Sequence, residues 1–273
     1  MRLSDRQIAG FQKKIFSWWN IHKRDLPWRH TNDPYKITVS EIMLQQTQVS
    51  RVIPKYLKFI TRYPTVTNLS NATPSQVINI WKGMGYNRRA LYIHNIAKIV
   101  QKKYRGVFPN DEQVLMKLPG IGVYTARAIT IFAFHSNIAC VDTNIRQIII
   151  HFFFLDKPQK ESIIQDVADQ LLPVGKSLEW HQALMDYGAA HFQTIRVLKA
   201  RNVCQPVPFH KSNRFYRGRI IDLLRKKSYR ESTLIHTIVC TYNKPEKFVQ
   251  MIVCSLIKDG LLVRYGNTLR LPH

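Results

Sequence analysis

Apolar residues along this chain recur mostly every three to four positions, a spacing that predicts helices. Ile8, Phe11, Ile15, Trp18 and Trp19 share one face of a helix over residues 4–20. The next stretch, HKRDLPWRHTNDPYK, is punctuated by Pro27 and Pro34 and reads as a loop. Ser40 then begins a helix that carries EIMLQQTQVSRVIPKYLKFITRY up to the break at Pro64 and Thr65. Two further helices fit SNATPSQVINIWKGM and NRRALYIHNIAKIVQKKY, with GMGY between them. DEQVLMKL leads into a tight turn, LPGIG, and the helix beyond it reaches Phe134. NIRQIIIHFFF, ESIIQDVADQLL and SLEWHQALMDYGAAHF complete a helical body. No run of alternating strand residues precedes residue 209, so the body is expected to be all-α with short links.

A change of composition at KARNVCQPVPFHKSNR, with Pro206 and Pro208, marks a linker. Beyond it, FYRGRIIDLLRKK, RESTLIHTIV and PEKFVQMIVCSLIKDG are helical, and LLVRYGNTLRLP is a hairpin around a Gly-Asn turn. Three helices and a hairpin predict a winged-helix-like domain over 210–273, following a body over 1–209. The body is expected to have two lobes. One is a six-helix lobe over about 25–139, and the other combines 1–24 with 140–209.

Charge narrows the range of partners. Lys and Arg number 41 against 17 Asp and Glu, a net +24, and the basic residues are spread through helical segments. That distribution favours nucleic acid over a membrane surface. The tail alone has thirteen basic and four acidic residues. A basic winged helix binds duplex nucleic acid or docks on protein, and both readings stay open. No apolar run is long enough for a membrane span, and the N-terminal stretch lacks the apolar region of a signal peptide. Cys140, Cys204, Cys240 and Cys254 are widely separated and form no C-x-x-C pair, so neither a metal site nor a disulfide framework is indicated. A monomeric, cytoplasmic, nucleoid-associated protein with reduced thiols is expected.

The candidate chemistry centres on residues 118–142. Helix–LPGIG–helix is a helix-hairpin-helix pattern, in which Gly120 and Gly122 let backbone approach a phosphate without a Cβ in the way. Bare N–H groups at the start of the following helix, around Val123 and Thr125, favour an anion. The same stretch ends on Asp142, which reads equally as the N-cap of the next helix. Glu41 sits among apolar neighbours. It is either a buried acid with a raised pKa or a first-turn Glu complementing the helix dipole. Gln45 and Gln46 offer paired amides to a base edge or to solvent. Trp28, Arg29 and Tyr86 lie in or beside loops, where aromatic and planar groups stack on bases, whereas Tyr35 reads as core.

VSEIMLQQTQV, GMGYNRRA, LPGIGVYTARAI, VDTNIRQI and HQALMDYGA occur in that order. Together they resemble the helix-hairpin-helix DNA glycosylases, most closely the MutY-type adenine DNA glycosylases, over roughly residues 5–192. The resemblance implies excision of adenine mispaired with 8-oxoguanine or guanine from double-stranded DNA. The alternative within the class is a thymine or uracil mismatch glycosylase, and outside it a DNA-binding protein without catalysis. The resemblance makes Glu41 the acid that protonates the flipped adenine and Asp142 the stabiliser of the developing oxocarbenium ion, with Tyr124 and Asn144 in support. It puts Trp28, Arg29, Leu44 and Gln182 around the base. Gln45, Gln46, Tyr86, Asn87, Arg88, Gly120, Gly122, Val123 and Thr125 fall on the DNA. Bifunctional relatives carry a Lys where Tyr124 stands, so a monofunctional enzyme is implied.

Three departures from the family pattern follow. Relatives hold an iron–sulfur (4Fe–4S) cluster on four cysteines after the DYGA segment. Here Phe192 and Val207 stand near two of those positions and only Cys204 remains, so no cofactor and no cluster are expected. The winged-helix-like tail stands where relatives have a domain that helps recognise 8-oxoguanine. Finally, Asn87 replaces a second aromatic after Tyr86.

Overall fold

The computed structural model describes residues 2–192 and 208–273. Cys204, Val207 and most of the expected linker lie outside the described residues. In chain order the helices are α1 Asp5–His22, α2 Pro34–Leu44, α3 Val49–Arg62, α4 Val66–Ser70, α5 Pro74–Ile80, α6 Arg88–Tyr104 and α7 Glu112–Leu115. They continue with α8 Val123–Phe134, α9 Thr143–Phe154, α10 Glu161–Leu171, α11 Ser177–His191, α12 Asn213–Leu224, α13 Glu231–Tyr242 and α14 Glu246–Lys258. The strands are β1 Tyr229–Arg230, β2 Val263–Tyr265 and β3 Thr268–Arg270. The fold is mainly α, as the periodicity predicts.

Three details of the helices differ from the sequence expectation. The helix expected to begin at Ser40 starts six residues earlier, at Pro34. Proline suits a first helical position because its missing N–H has no partner there in any case. Asp33 completes the start, its carboxylate accepting from the Tyr35 N–H at 2.9 Å. Glu41 therefore lies in the second half of α2 and cannot be a first-turn acid. The long helix expected from Ser40 to residue 63 is also two helices. The chain turns at Gln46, whose φ of 54° is left-handed, and restarts at Val49. Likewise the helix expected over residues 70–84 contracts to α5, with Thr73 and Gln76 forming a capping box and Pro74 preventing extension backwards.

The chain forms two compact units. The first comprises residues 1–41, 109–117 and 121–204. Its core joins α1, α9, α10 and α11 through Phe11, Ile15, Ile148, Ile149, Val167 and Trp180, all nearly or wholly buried. Edge-to-face contacts from Phe11 to Phe153 and Trp180 lock α1 onto that core. The second unit comprises residues 42–108, 118–120 and 205–273. Here α6 packs on α4 and α5, and α14 packs on α12 and α13. The strands make an antiparallel sheet ordered β1–β3–β2, with Leu269 opposite both Tyr229 and Arg264. Three helices and a hairpin thus form in the tail as expected. Strand β1 is additional, and two residues are too few to show an alternating pattern.

Candidate active site

Glu41, Tyr124, Asp142 and Asn144 all belong to the first unit. Glu41, on α2, is 8% exposed. Its carboxyl is pushed up to about 7, first by burial and then by the negative charge of Asp142. The Tyr124 hydroxyl donates a hydrogen bond to it and partly opposes that rise. Burial and the neighbouring acids hold the phenol itself well above its ordinary value, so it stays a donor.

Asp142 caps α9. Its Oδ1 accepts from the Ile145 N–H at 2.7 Å, and its Oδ2 accepts from the Asn144 amide at 3.0 Å. Burial raises this carboxyl too, but the N–H donors of Ile145 and Asn144 pull against the rise. The cap and the inward-facing acid are therefore one and the same role. Glu41, held by the Tyr124 phenol, is the member of the pair that keeps a proton near neutrality. The two carboxyls thus sit in different environments, Glu41 governed by burial and Asp142 opposed by N–H donors, the kind of difference an acid–base pair is built on.

Backbone packing holds Asn144 in place. A Cβ on Gly188 of α11 would stand 2.6 Å from the Asn144 Cβ, so only glycine lets α11 approach α9 this closely. On the other side of the cap, buried His181 accepts from the Cys140 N–H at 3.0 Å and donates to the Ser177 carbonyl at 2.6 Å. Burial drives the His181 imidazole down to about 4, so it stays neutral and braces the strand of chain leading to Asp142. Next to it on α11, Gln182 is half-buried and makes no side-chain hydrogen bond among the described residues. Trp28 and Leu44 are half-buried as well.

Arg29 has a different immediate task from the one its motif implies. Its guanidinium grips Asp186 through two hydrogen bonds at 2.8 Å and donates to the Arg24 carbonyl. Asp186, 1% exposed, also accepts from the Arg24 Nε and backbone N–H and from the Trp19 indole. These donors outweigh burial and hold its carboxyl below the usual range. Sequence reasoning missed Asp186; the available signal was an acid within the otherwise apolar ALMDYG run.

On the hairpin, Gly120 has φ 79°, and a Cβ there would meet the Tyr92 ring at 2.4 Å. Gly122 precedes α8 without a side-chain cap, Val123 is 54% exposed, and Thr125 is buried with its side chain packed inward. The Gln45 amide donates to the Gly120 carbonyl. Gln46 and Tyr86 are exposed at turns, each at a left-handed φ uncommon for residues other than glycine. Both turns are tied by a residue the sequence did not single out. Buried Arg89 donates to the carbonyls of Ile42, Met43, Gln45, Met84 and Gly85 and to the Thr47 hydroxyl. Asn87 and Arg88 are both engaged by the tail: Asn87 accepts from Arg225 at 3.2 Å, and Arg88 pairs with Asp259 at 3.3 Å.

Phe192 is buried beside the rings of Tyr187 and His151. Among the described residues no three His, Cys, Asp or Glu gather to hold a metal. No described helix is long and apolar enough to cross a membrane.

The family described as HhH-GPD superfamily base excision DNA repair protein matches residues 39–173, which include both acids and the hairpin. An adenine DNA glycosylase of Buchnera aphidicola subsp. Baizongia pistaciae is 36% identical over 76% of this chain and 58% of its own length. An adenine DNA glycosylase of Mycolicibacterium smegmatis is 39% identical over 64% of this chain and 61% of its own length. The chain thus spans about three fifths of these two relatives. A thymine/uracil-DNA glycosylase of Methanothermobacter thermautotrophicus is 32% identical, with 86% of its length covered. A solved thermostable thymine-DNA glycosylase superposes with a TM-score of 0.63 at 31% identity, over 68% of this chain and 87% of its own. An endonuclease III–DNA covalent complex shares the fold at a TM-score of 0.60 and 19% identity. With its hairpin, its two acids and most of a relative's length in common, the chain belongs to the HhH-GPD superfamily of base excision DNA repair proteins.

Proposed function

We propose that the chain is a monofunctional DNA glycosylase that excises adenine mispaired with 8-oxoguanine or guanine in duplex DNA. The observation that carries this reading is the buried Glu41 carboxyl, raised to about 7 beside a capped Asp142. Adenine leaves poorly as an anion. A proton from Glu41 to a ring nitrogen lets the C1′–N9 bond break with its electron pair on a neutral base. Positive charge grows on the sugar as the bond lengthens, and the Asp142 carboxylate stabilises it in a water-poor site. Water then adds to C1′, and the ionised Glu41 takes its proton. The base must first leave the stack, at a cost of about a few kcal/mol, and exposed Gln46 is the wedge that offsets this. Tyr124 carries no amine, so no Schiff base forms and the strand is left uncut.

Adenine is favoured by the MLQQT segment, by the unengaged amide of Gln182 and by the adenine glycosylases among the relatives. A second reading, thymine or uracil opposite guanine, is favoured by a thymine/uracil-DNA glycosylase of which the chain covers 86% of the length. Duplexes carrying A·8-oxoG, A·G, T·G and U·G decide between them. Adenine release with an intact strand is expected, and Glu41→Gln should abolish it while duplex binding persists. Preferential cleavage at T·G would overturn the adenine assignment, and normal release by Glu41→Gln would overturn the role of the acid.

We also assign the chain no iron–sulfur cluster. Support comes from Phe192 packed in the core and from the placement of Cys140, Cys240 and Cys254 outside any shared site.

A further inference from the structure

The stretch between α8 and α9 carries the chain to Asp142, and it has no helix or strand of its own. Among the described residues, 137–141 make no backbone–backbone hydrogen bond. Ala139 and Cys140 are nonetheless 2% and 1% exposed, and buried peptide groups need partners. Side chains of the surrounding helices supply them. Ser177 at the start of α11 donates to the Ile138 carbonyl at 3.1 Å, and His181 takes the Cys140 N–H. Between these two, the Ala139 carbonyl accepts twice, from Arg127 of α8 at 3.2 Å and from Gln165 of α10 at 3.1 Å.

Arg127 lies in the second turn of α8, inside the LPGIGVYTARAI run. Its guanidinium bridges two places at once. Nε donates to the Glu112 carboxylate of α7 at 3.1 Å, and Nη1 donates to Ala139. The Arg127 and Glu112 side chains are 27% and 25% exposed, so their ion pair adds little to stability. The Gln165 amide also donates to Asp169, which leaves Arg127 as the firmer hold on the carbonyl. The cation that pulls the Asp142 carboxyl down is Arg146, so Arg127 bears on Asp142 through the backbone and not through its charge. Asp142 comes three residues after Ala139. Its two oxygens are fixed to the start of α9, and the backbone entering that cap sets the direction of the carboxylate.

We infer that Arg127 is a positioning residue for base excision: by tying the Ala139 carbonyl to α7 it holds the chain that enters the α9 cap, and with it the aim of the Asp142 carboxylate. The inference rests on the proposed glycosylase reading and adds to it a residue that touches neither base nor sugar. Arg127 fixes a direction and moves no proton.

The test uses the full chain and the mismatch duplex from which the unmodified chain releases base fastest. Single-turnover excision is followed across pH, and duplex affinity by fluorescence anisotropy. Arg127→Met should slow excision about tenfold to a hundredfold, the scale of a misplacement of about 1 Å, with affinity unchanged. Arg127→Lys keeps the charge but not the two-sided bridge, and should be nearly as slow. With the cap loosened, the N–H donors oppose the rise of the Asp142 carboxyl less, so the acid limb of the rate should move to higher pH. The other titratable and charged groups around Asp142, namely Glu41, Tyr124, Cys140 and Arg146, are unaltered in these variants. Gln165→Leu, acting on the same carbonyl, should shift rate and limb in the same direction, and it carries the test if the Arg127 variants do not fold. An unchanged rate overturns the inference, and so does a slower rate with the acid limb unmoved. Parent-like excision by Arg127→Lys would mean that charge is what counts, and a parallel loss of affinity would make Arg127 a DNA contact; either overturns positioning. Failure of the glycosylase reading shows separately, as absence of base release by the unmodified chain from every mismatch duplex.

Discussion

At the scale of single residues, the balance between Glu41 and Asp142 governs both chemistry and stability. Folding lifts the Glu41 carboxyl from 4.5 to about 7, so the folded chain binds that proton more tightly than the unfolded one. Below pH 4.5 both states are protonated and burial carries no ionisation penalty. As pH rises towards about 7 the unfolded state gains from ionising and the folded state does not, so stability falls, by up to about 3 kcal/mol, then levels off. Glu41→Gln removes this dependence. The variant should be more stable than the parent, by a margin that grows between pH 4.5 and 7, as urea melts at several pH values would reveal. A margin independent of pH would mean that Glu41 titrates normally. Excision by the parent should fall on the alkaline side of about pH 7 for the same reason, because the acid is spent.

At the scale of elements, α9 and α11 set the position of the acid. The added methyl of Gly188→Ala would collide with Asn144, and the helices must separate to admit it. A stability loss of about 1–3 kcal/mol is expected, together with a fall in single-turnover excision because the Asn144 amide no longer reaches Asp142. Unchanged stability in urea melts would show that the helices yield freely. Periodicity made most of the elements legible: α1, α6 and α8 to α14 fall where apolar spacing puts them. The turn at residues 45–48 was not legible, since Gln-Gln-Thr-Gln carries neither glycine nor proline and a left-handed glutamine is a consequence of tertiary contacts. The start of α2 was hidden by reading Pro34 as a breaker when it serves as an opener. Glu41 and Asp142 were found by their motifs, yet each residue alone permitted an ordinary role. Only the fold shows Glu41 buried late in its helix and Asp142 capping and facing inward at once. Asp186 and Arg89 stayed hidden because charged residues on helices normally face solvent. Their partners, which make burial tolerable, lie far away in sequence.

At the scale of the whole molecule, charge and cysteine placement set the expectations. Cys140 is buried behind Asp142, and Cys240 and Cys254 lie on the C-terminal domain. The purified chain should therefore show no visible absorption band, and a brown preparation would refute the absence of a cluster. The tail is also more than an appendage, since Arg225 and Asp259 tie it to the same turns that carry Tyr86 and Arg88. Those turns depend in their own right on Arg89. One guanidinium closes the end of α2 and the GMGY turn together, so neither Gln46 nor Tyr86 keeps its unusual backbone independently of the other. Mutational tolerance along this edge is accordingly uneven. Gln46 and Tyr86, exposed, can drift at the expense of their own contacts alone, whereas drift at Arg89 disorders both loops in one step. The edge thus has a single point of failure, and it is a side chain only 5% exposed.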